Sequence, residues 1–266
     1  ALIKNYIKTD SPDLRLKKNN QSSDEFLDEK LKKLTKIFEK NHQVTASIII
    51  EPMVQCASGM GIYDARFLEG VRKLCDQYEV HLIADEIAVG FGRTGKMFAH
   101  QHAKITPDFV CLSKGLTGGY LPMSVTLTSD KIYNAFYDDD IKKGFLHSHS
   151  YTGNPLACSA ALGTLSIFES DKVLKKNLTL SKKINQLFSS LEDLPISDLR
   201  NIGMIWAFEL DSKISIDKVL AYSLNNGVLI RPIDNTIYFM PPYCIKESEA
   251  REMIKITREA ILYAST

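Results

Sequence analysis

Two short apolar runs in this chain end abruptly on ionisable groups: Leu82-Ile83-Ala84-Asp85-Glu86 and, further on, Cys111-Leu112-Ser113-Lys114-Gly115. The apolar stretches, 80–84 and 109–112, have the length and character of buried strands. Open α/β sheets bind their ligands just beyond the carboxyl ends of such strands, so a carboxylate and an amine are expected where a ligand would sit. A lysine partly withdrawn from water loses basicity and becomes a nucleophile toward carbonyls, as Schiff-base formation requires. A buried aspartate needs a cationic partner, and a protonated ring nitrogen is one. Either residue alone reads as a solvated loop group. The pair carries the inference, and one group, pyridoxal phosphate, asks for both.

A second motif competes. Gly90-Phe91-Gly92-Arg93-Thr94-Gly95 fits the glycine pattern of a dinucleotide-binding turn. That turn needs a strand directly before it, a helix opening on it and an acid about 20 residues later. Here Asp85-Glu86 intervenes, no helical period follows Lys96, and Pro107-Asp108 interrupts the downstream region. The glycines read as a loop, with Arg93 as a structural member of it.

Composition narrows the classes further. At 266 residues and 44% hydrophobic, the chain can bury a large core in one or two domains. A net charge of +1 gives no sign of a nucleic-acid or acidic-membrane partner, and no apolar run reaches the about 18 residues of a membrane span. The lysine-rich run 30–40 alternates with glutamate and apolar residues and reads as a solvated helix face. Cys56, Cys75, Cys111, Cys158 and Cys244 have no paired spacing, which suits reduced core thiols and a cytoplasmic setting. The opening residues, from Ala1, look like a strand, so the chain is expected to begin partway through a fold.

Ser22-Ser23-Asp24-Glu25 offers a capping box ahead of an amphipathic helix with Leu27, Leu31, Leu34 and Phe38 on one face. A strand at 47–50, a helix at 65–78 and a strand near 124–128 complete an alternation that predicts an α/β fold. Its mostly parallel sheet should be covered on both faces. After about residue 170 the character changes. Helices at 172–191, 216–226 and 247–263 alternate with strand-like stretches at 199–210, 228–231 and 236–239, which predicts a smaller C-terminal α+β domain at 171–266 beside a large domain at 1–170. Trp206 is expected in its core.

The segments 82–95, Pro107-Asp108, 111–119 and 147–155 (His-Ser-His-Ser-Tyr-Thr-Gly-Asn-Pro) together resemble the class III pyridoxal-phosphate-dependent aminotransferases of fold type I. Within that family the chain looks most like members acting in biotin synthesis, which convert 8-amino-7-oxononanoate to 7,8-diaminononanoate with S-adenosylmethionine as amino donor. Glu51-Pro52-Met53-Val54-Gln55, 147–158, and 227–232 leading into Tyr238-Phe239-Met240-Pro241-Pro242-Tyr243 carry that narrower likeness. An ω-aminotransferase acting on ornithine, acetylornithine or 4-aminobutyrate remains an alternative, as does a non-catalytic fragment that keeps the fold.

The resemblance implies roles position by position. Lys114 would join covalently to the cofactor and shuttle the proton. Asp85 would hold the pyridine nitrogen protonated. Ser150 stands where the family usually has a threonine whose hydroxyl reaches the cofactor phosphate from the neighbouring subunit, with the His149 backbone beside it. Ser148 would lie against substrate, and Arg231 would bind the keto-acid carboxylate with its planar fork. A homodimer follows from the shared phosphate contact. His147 and His149 lack a third ligand nearby and are not expected to hold a metal. Asn154 reads as a helix cap, while Glu86 and Gln55 stand close to the site without an assigned role. The chain is shorter than the family's members, and their N-terminal third, with the turn that cradles the cofactor phosphate, is expected to be missing.

Overall fold

Ser22 caps the first described α-helix reciprocally: its side chain accepts from Glu25 N while the Glu25 carboxylate accepts from Ser22 N. That helix is α1 (Ser23–Asn41); the computed structural model describes residues 6–266, and the strand-like opening, residues 1–5, lies outside the described residues. There follow β1 (Ser47–Ile50), β2 (Val54–Gln55), β3 (Gly61–Ile62), α2 (Ala65–Tyr78), β4 (His81–Asp85), β5 (Phe109–Leu112), β6 (Val125–Thr128) and α3 (Asp130–Asn134). Then come α4 (Pro155–Ser170), α5 (Val173–Phe188), β7 (Ile196–Ile202), β8 (Ile205–Leu210), α6 (Ile216–Asn225), β9 (Thr236–Phe239) and α7 (Glu247–Ala264).

These elements form two units, the second comprising Val54–Ile62, Val89–Ala99 and Leu165–Thr266. In the first unit the strand order is β1-β4-β5-β6. β1 and β4 run parallel with Ile48 opposite Leu82, and β4 and β5 run parallel with Asp85 opposite Cys111. β6 runs antiparallel to β5, because the connection 113–124 holds no α-helix to carry the chain back. Leu27, Leu34 and Phe38 of α1 pack with Phe67, Leu68 and Val71 of α2 against Val80 and Leu82. Burial of each such side chain contributes about 1.5–3 kcal/mol. Among the described residues, α1 and α2 cover one face of this sheet. The connection from β4 to β5 supplies no α-helix, and Ile49 and Leu127 stay 63% and 49% exposed.

Two polar details differ from or sharpen the sequence reading. Lys30 does not face water: it is buried, with Nζ 3.2 Å from Asp10 and 5.0 Å from the centre of the Phe26 ring. Its long stem covers apolar surface while the ammonium finds a carboxylate and a ring face. Asp108 ties β4 to α2, accepting from Leu82 N and from Arg72, each at 2.7 Å. Burial pushes this carboxyl up, but the two bonds outweigh it and hold it below its ordinary value.

In the second unit an antiparallel sheet, β7-β8-β9, packs on α5, α6 and α7. Trp206 is 1% exposed, stacks on Phe188 with ring centres 5.6 Å apart, and donates its indole N–H to Asn185 at 2.6 Å. This unit also takes in two earlier segments, Val54–Ile62 and Val89–Ala99. Arg200 of β7 bonds Gly59 O, Met60 O and the Glu209 carboxylate, which fastens the β2–β3 hairpin. Met204 N donates to Arg93 O and Tyr243 donates to Phe91 O, fastening the glycine loop. Arg93 is structural there, donating to Pro241 O at 2.6 Å and lying 4.5 Å over the Tyr243 ring. The expected strand at 228–231 does not form. Pro232 lacks the N–H a ladder needs, and only a lone bridge joins Ile233 to Thr236 before β9.

The turn between β7 and β8 explains why the loop is rich in glycine. Gly203 has φ +57°, and a Cβ there would lie 2.4 Å from the Thr94 carbonyl carbon and 2.5 Å from Arg93 O and Gly95 N. Backbone meets backbone, so neither side yields. Gly203→Ala is expected to destabilise the fold by about 2–4 kcal/mol. Gly163→Ala, in open space on α4, is expected to stabilise it by about 0.5–1 kcal/mol. Urea unfolding of both variants checks the contrast, and equal midpoints would contradict it.

Candidate active site

Asp85 is the last paired residue of β4, and Lys114 lies two residues past the end of β5. Because these strands are parallel neighbours with Asp85 opposite Cys111, both groups reach the same, carboxyl, edge of the sheet. Glu51 follows β1 at that edge as well. Asp85 is half-buried, and its Oδ1 accepts from Ile87 N at 3.1 Å. Among the described residues it has no cationic partner. Burial raises the Cys111 thiol above its ordinary value; a hydrogen bond with Thr126 opposes that shift and the Asp85 charge adds to it.

Lys114 opens a single 3-10 turn, Lys114–Thr117, in the left-handed region at φ +41°. The loop around it is fixed: Ser113 donates to Met123 O at 2.7 Å and Thr117 donates to Leu121 O at 2.6 Å. The partial desolvation expected for Lys114 is not present in this chain. Its side chain is exposed.

Ser148, His149 and Ser150 are exposed in the turn before α4. The His149 N–H donates to Thr152 Oγ1 at 3.1 Å, and its ring accepts from Tyr151 N. Asn154 caps α4, accepting from Leu156 N and Ala157 N. Arg231 belongs to the second unit, is exposed, and has no ion pair among the described residues. Glu86, beside Asp85, is fully buried and bound to His100.

Chemically, the sheet edge offers a carboxylate short of a cation and an amine held in a rigid loop. Those residues fit a group that carries a protonatable ring nitrogen and an aldehyde, as pyridoxal phosphate does.

The sequence profile of the aminotransferase class-III family matches residues 2–261. The chain is 46% identical over 242 residues to the adenosylmethionine-8-amino-7-oxononanoate aminotransferase of Helicobacter pylori, covering 87% of this chain and 55% of that protein. It is 37% identical to the Staphylococcus aureus enzyme of the same name over 98% of this chain and 60% of that one. The crystal structure of the Methanocaldococcus jannaschii enzyme of that name superposes with a TM-score of 0.85 at 37% identity, covering 90% of this chain and 58% of that one. The chain thus spans between half and two-thirds of the length of these relatives. It belongs to the class III aminotransferases, a family of fold type I enzymes that use pyridoxal phosphate.

Proposed function

We propose that the protein carrying this chain transfers an amino group to 8-amino-7-oxononanoate, giving 7,8-diaminononanoate in biotin synthesis, with S-adenosylmethionine as donor. The observation that carries the reading is the pairing of β4 with β5, which brings Asp85 and Lys114 to one sheet edge in a chain whose relatives bear that name. When bound, pyridoxal phosphate supplies an electron sink conjugated to the substrate's amine carbon. Asp85 holds a proton on the ring nitrogen, because a half-buried carboxylate without another cation stabilises one there. Lys114 would hold the cofactor through its amine, and its Nζ would move the proton. Ser150 and the His149 segment reach a phosphate across a homodimer interface, Ser148 lies against substrate, and Arg231 takes the substrate carboxylate. Such an interface is supported by the apolar side chains left open on α4, among them Leu156 at 71% and Leu162 at 65% exposure. Residues 1–170 act as part of the cofactor domain and 171–266 as the small domain. No described helix is long and apolar enough to cross a membrane, and we place the protein in the cytoplasm.

Borohydride reduction with pyridoxal phosphate, followed by peptide mapping, should place the label on Lys114. Lys114→Ala should lose the label and slow transamination by well over the about 10²–10⁴-fold that acid–base assistance alone provides. Label on another lysine would sink the assignment.

Asp85→Asn is nearly isosteric and removes the anion, so both half-reactions should slow far more than unfolding temperature changes. Unchanged single-turnover rates with bound donor would remove Asp85 from its role.

For Arg231→Lys a point charge replaces a bidentate fork. KM for 8-amino-7-oxononanoate should rise about tenfold to a hundredfold, the worth of a charge-assisted pair. The donor half-reaction should change much less. Equal damage to both would make Arg231 a general carboxylate site.

A further inference from the structure

Strand alternation sends Asp85 and Glu86 to opposite faces of the sheet. Leu82, Ala84 and Glu86 share one face, and all three are 0% exposed. A carboxylate at such a position is costly unless charged or polar groups compensate it. Glu86 Oε1 accepts from His100 N and from His100 Nδ1, both at 2.8 Å, and the imidazole itself is only 14% exposed. Two bonds to one oxygen from one residue, in the dry interior, make a rigid joint. The backbone of Glu86 is fixed too, its N–H donating to Cys111 O at 3.0 Å, one residue beyond the ladder.

The joint has a particular place in the chain. After Ala88 the chain leaves the first unit and returns to it at His100. Glu86 and His100 therefore close the base of a long excursion with no regular structure until the 3-10 turn Ala99–His102. The N–H that orients the Asp85 carboxylate comes from Ile87, the next residue after Glu86. Whatever holds Glu86 holds Ile87 N, and through it the direction of Asp85.

We propose that Glu86 and His100 are a positioning pair for Asp85, setting the carboxylate that faces the cofactor's ring nitrogen. This rests on the functional reading above. Neither residue touches cofactor or substrate; both act through the backbone at 85–87. The structural alternative is a pair that only stabilises the fold, which would leave the geometry of a bound ring unchanged.

The test compares the intact wild-type protein with Glu86→Gln, His100→Asn and the double variant. Pyridoxal phosphate affinity is read from its visible absorbance, and ring orientation from the visible circular dichroism of the bound cofactor. Glu86→Gln keeps an acceptor for His100 N, so far-UV circular dichroism should stay native. Affinity should fall about tenfold, as for a weakened charge-assisted bond, and the visible dichroism per bound cofactor should fall with it. The double variant should lose no more than the worse single one, since the two residues act as one unit. If Glu86→Gln fails to fold, His100→Asn carries the same comparison. Wild-type affinity and wild-type dichroism in the folded variants would overturn the proposal while leaving Lys114 and Asp85 in place. Failure of the wild-type protein itself to bind pyridoxal phosphate would overturn the functional reading and this inference together.

Discussion

The register of two parallel strands governs the first unit. With Asp85 opposite Cys111, the carboxylate of β4 and the lysine loop after β5 leave the sheet at the same level. A slip of one residue would send Asp85 to the other face and bring Glu86 round in its stead. Apolar residues on the helix side resist that slip. Leu82 is completely buried against α1 and α2, Ala84 is completely buried as well, and an odd shift would exchange them for His81 and Ile83. Asp108 adds a second lock, bonding Leu82 N at the start of β4 and Arg72 on α2. The chemistry at one end of the strand is thus set by packing and capping at the other.

Much of this was legible because it is local. The capping box at Ser22, the helix 65–78 and the strand 109–112 are written in periodicity and cap chemistry, and each forms as read. The placement of Asp85 and Lys114 at strand ends was legible for the same reason: apolar runs stop where they do. Long-range relations were not. Nothing near Arg200 announces that its guanidinium will hold Gly59 and Met60, some 140 residues earlier in the chain. The antiparallel sense of β6 depends on what the connection 113–124 does not contain. Lys30 was misread because a charge pattern says nothing about whether Asp10 and Phe26 wait on the inner side. Arg231 was expected to leave a strand, and Pro232, already visible in the sequence, is the reason it does not.

The glycine loop shows how one motif can serve packing instead of phosphate binding. Its backbone sits against Gly203 at a distance that admits no side chain, while Arg93 and Phe91 bind Pro241 and Tyr243. Burial pushes the Tyr243 hydroxyl up to about 12, with the Arg93 charge working against that shift, so it stays a neutral donor to Phe91 O. Two of the loop's glycines, Gly92 and Gly95, also have positive φ, which only glycine adopts without strain.

How the ionisable groups of the first unit are compensated separates scaffold from site. Asp108 has an arginine and an amide, Lys30 has a carboxylate and a ring face, and Glu86 has both donors of His100. Each of these charges has its balance inside the chain, and each joins elements that must not move. Asp85 has one backbone N–H, and Lys114 has no ion pair among the described residues. A carboxylate withdrawn from water needs more than one amide, and a lysine in a strained, tightly bonded loop is held there at a cost of about 1–3 kcal/mol in backbone strain. Both deficits fall on one sheet edge, at the level fixed by the strand register. A ligand with a cationic nitrogen and an electrophilic carbon answers both at once, which is why the site is recognised by what its charges lack as much as by what its residues are.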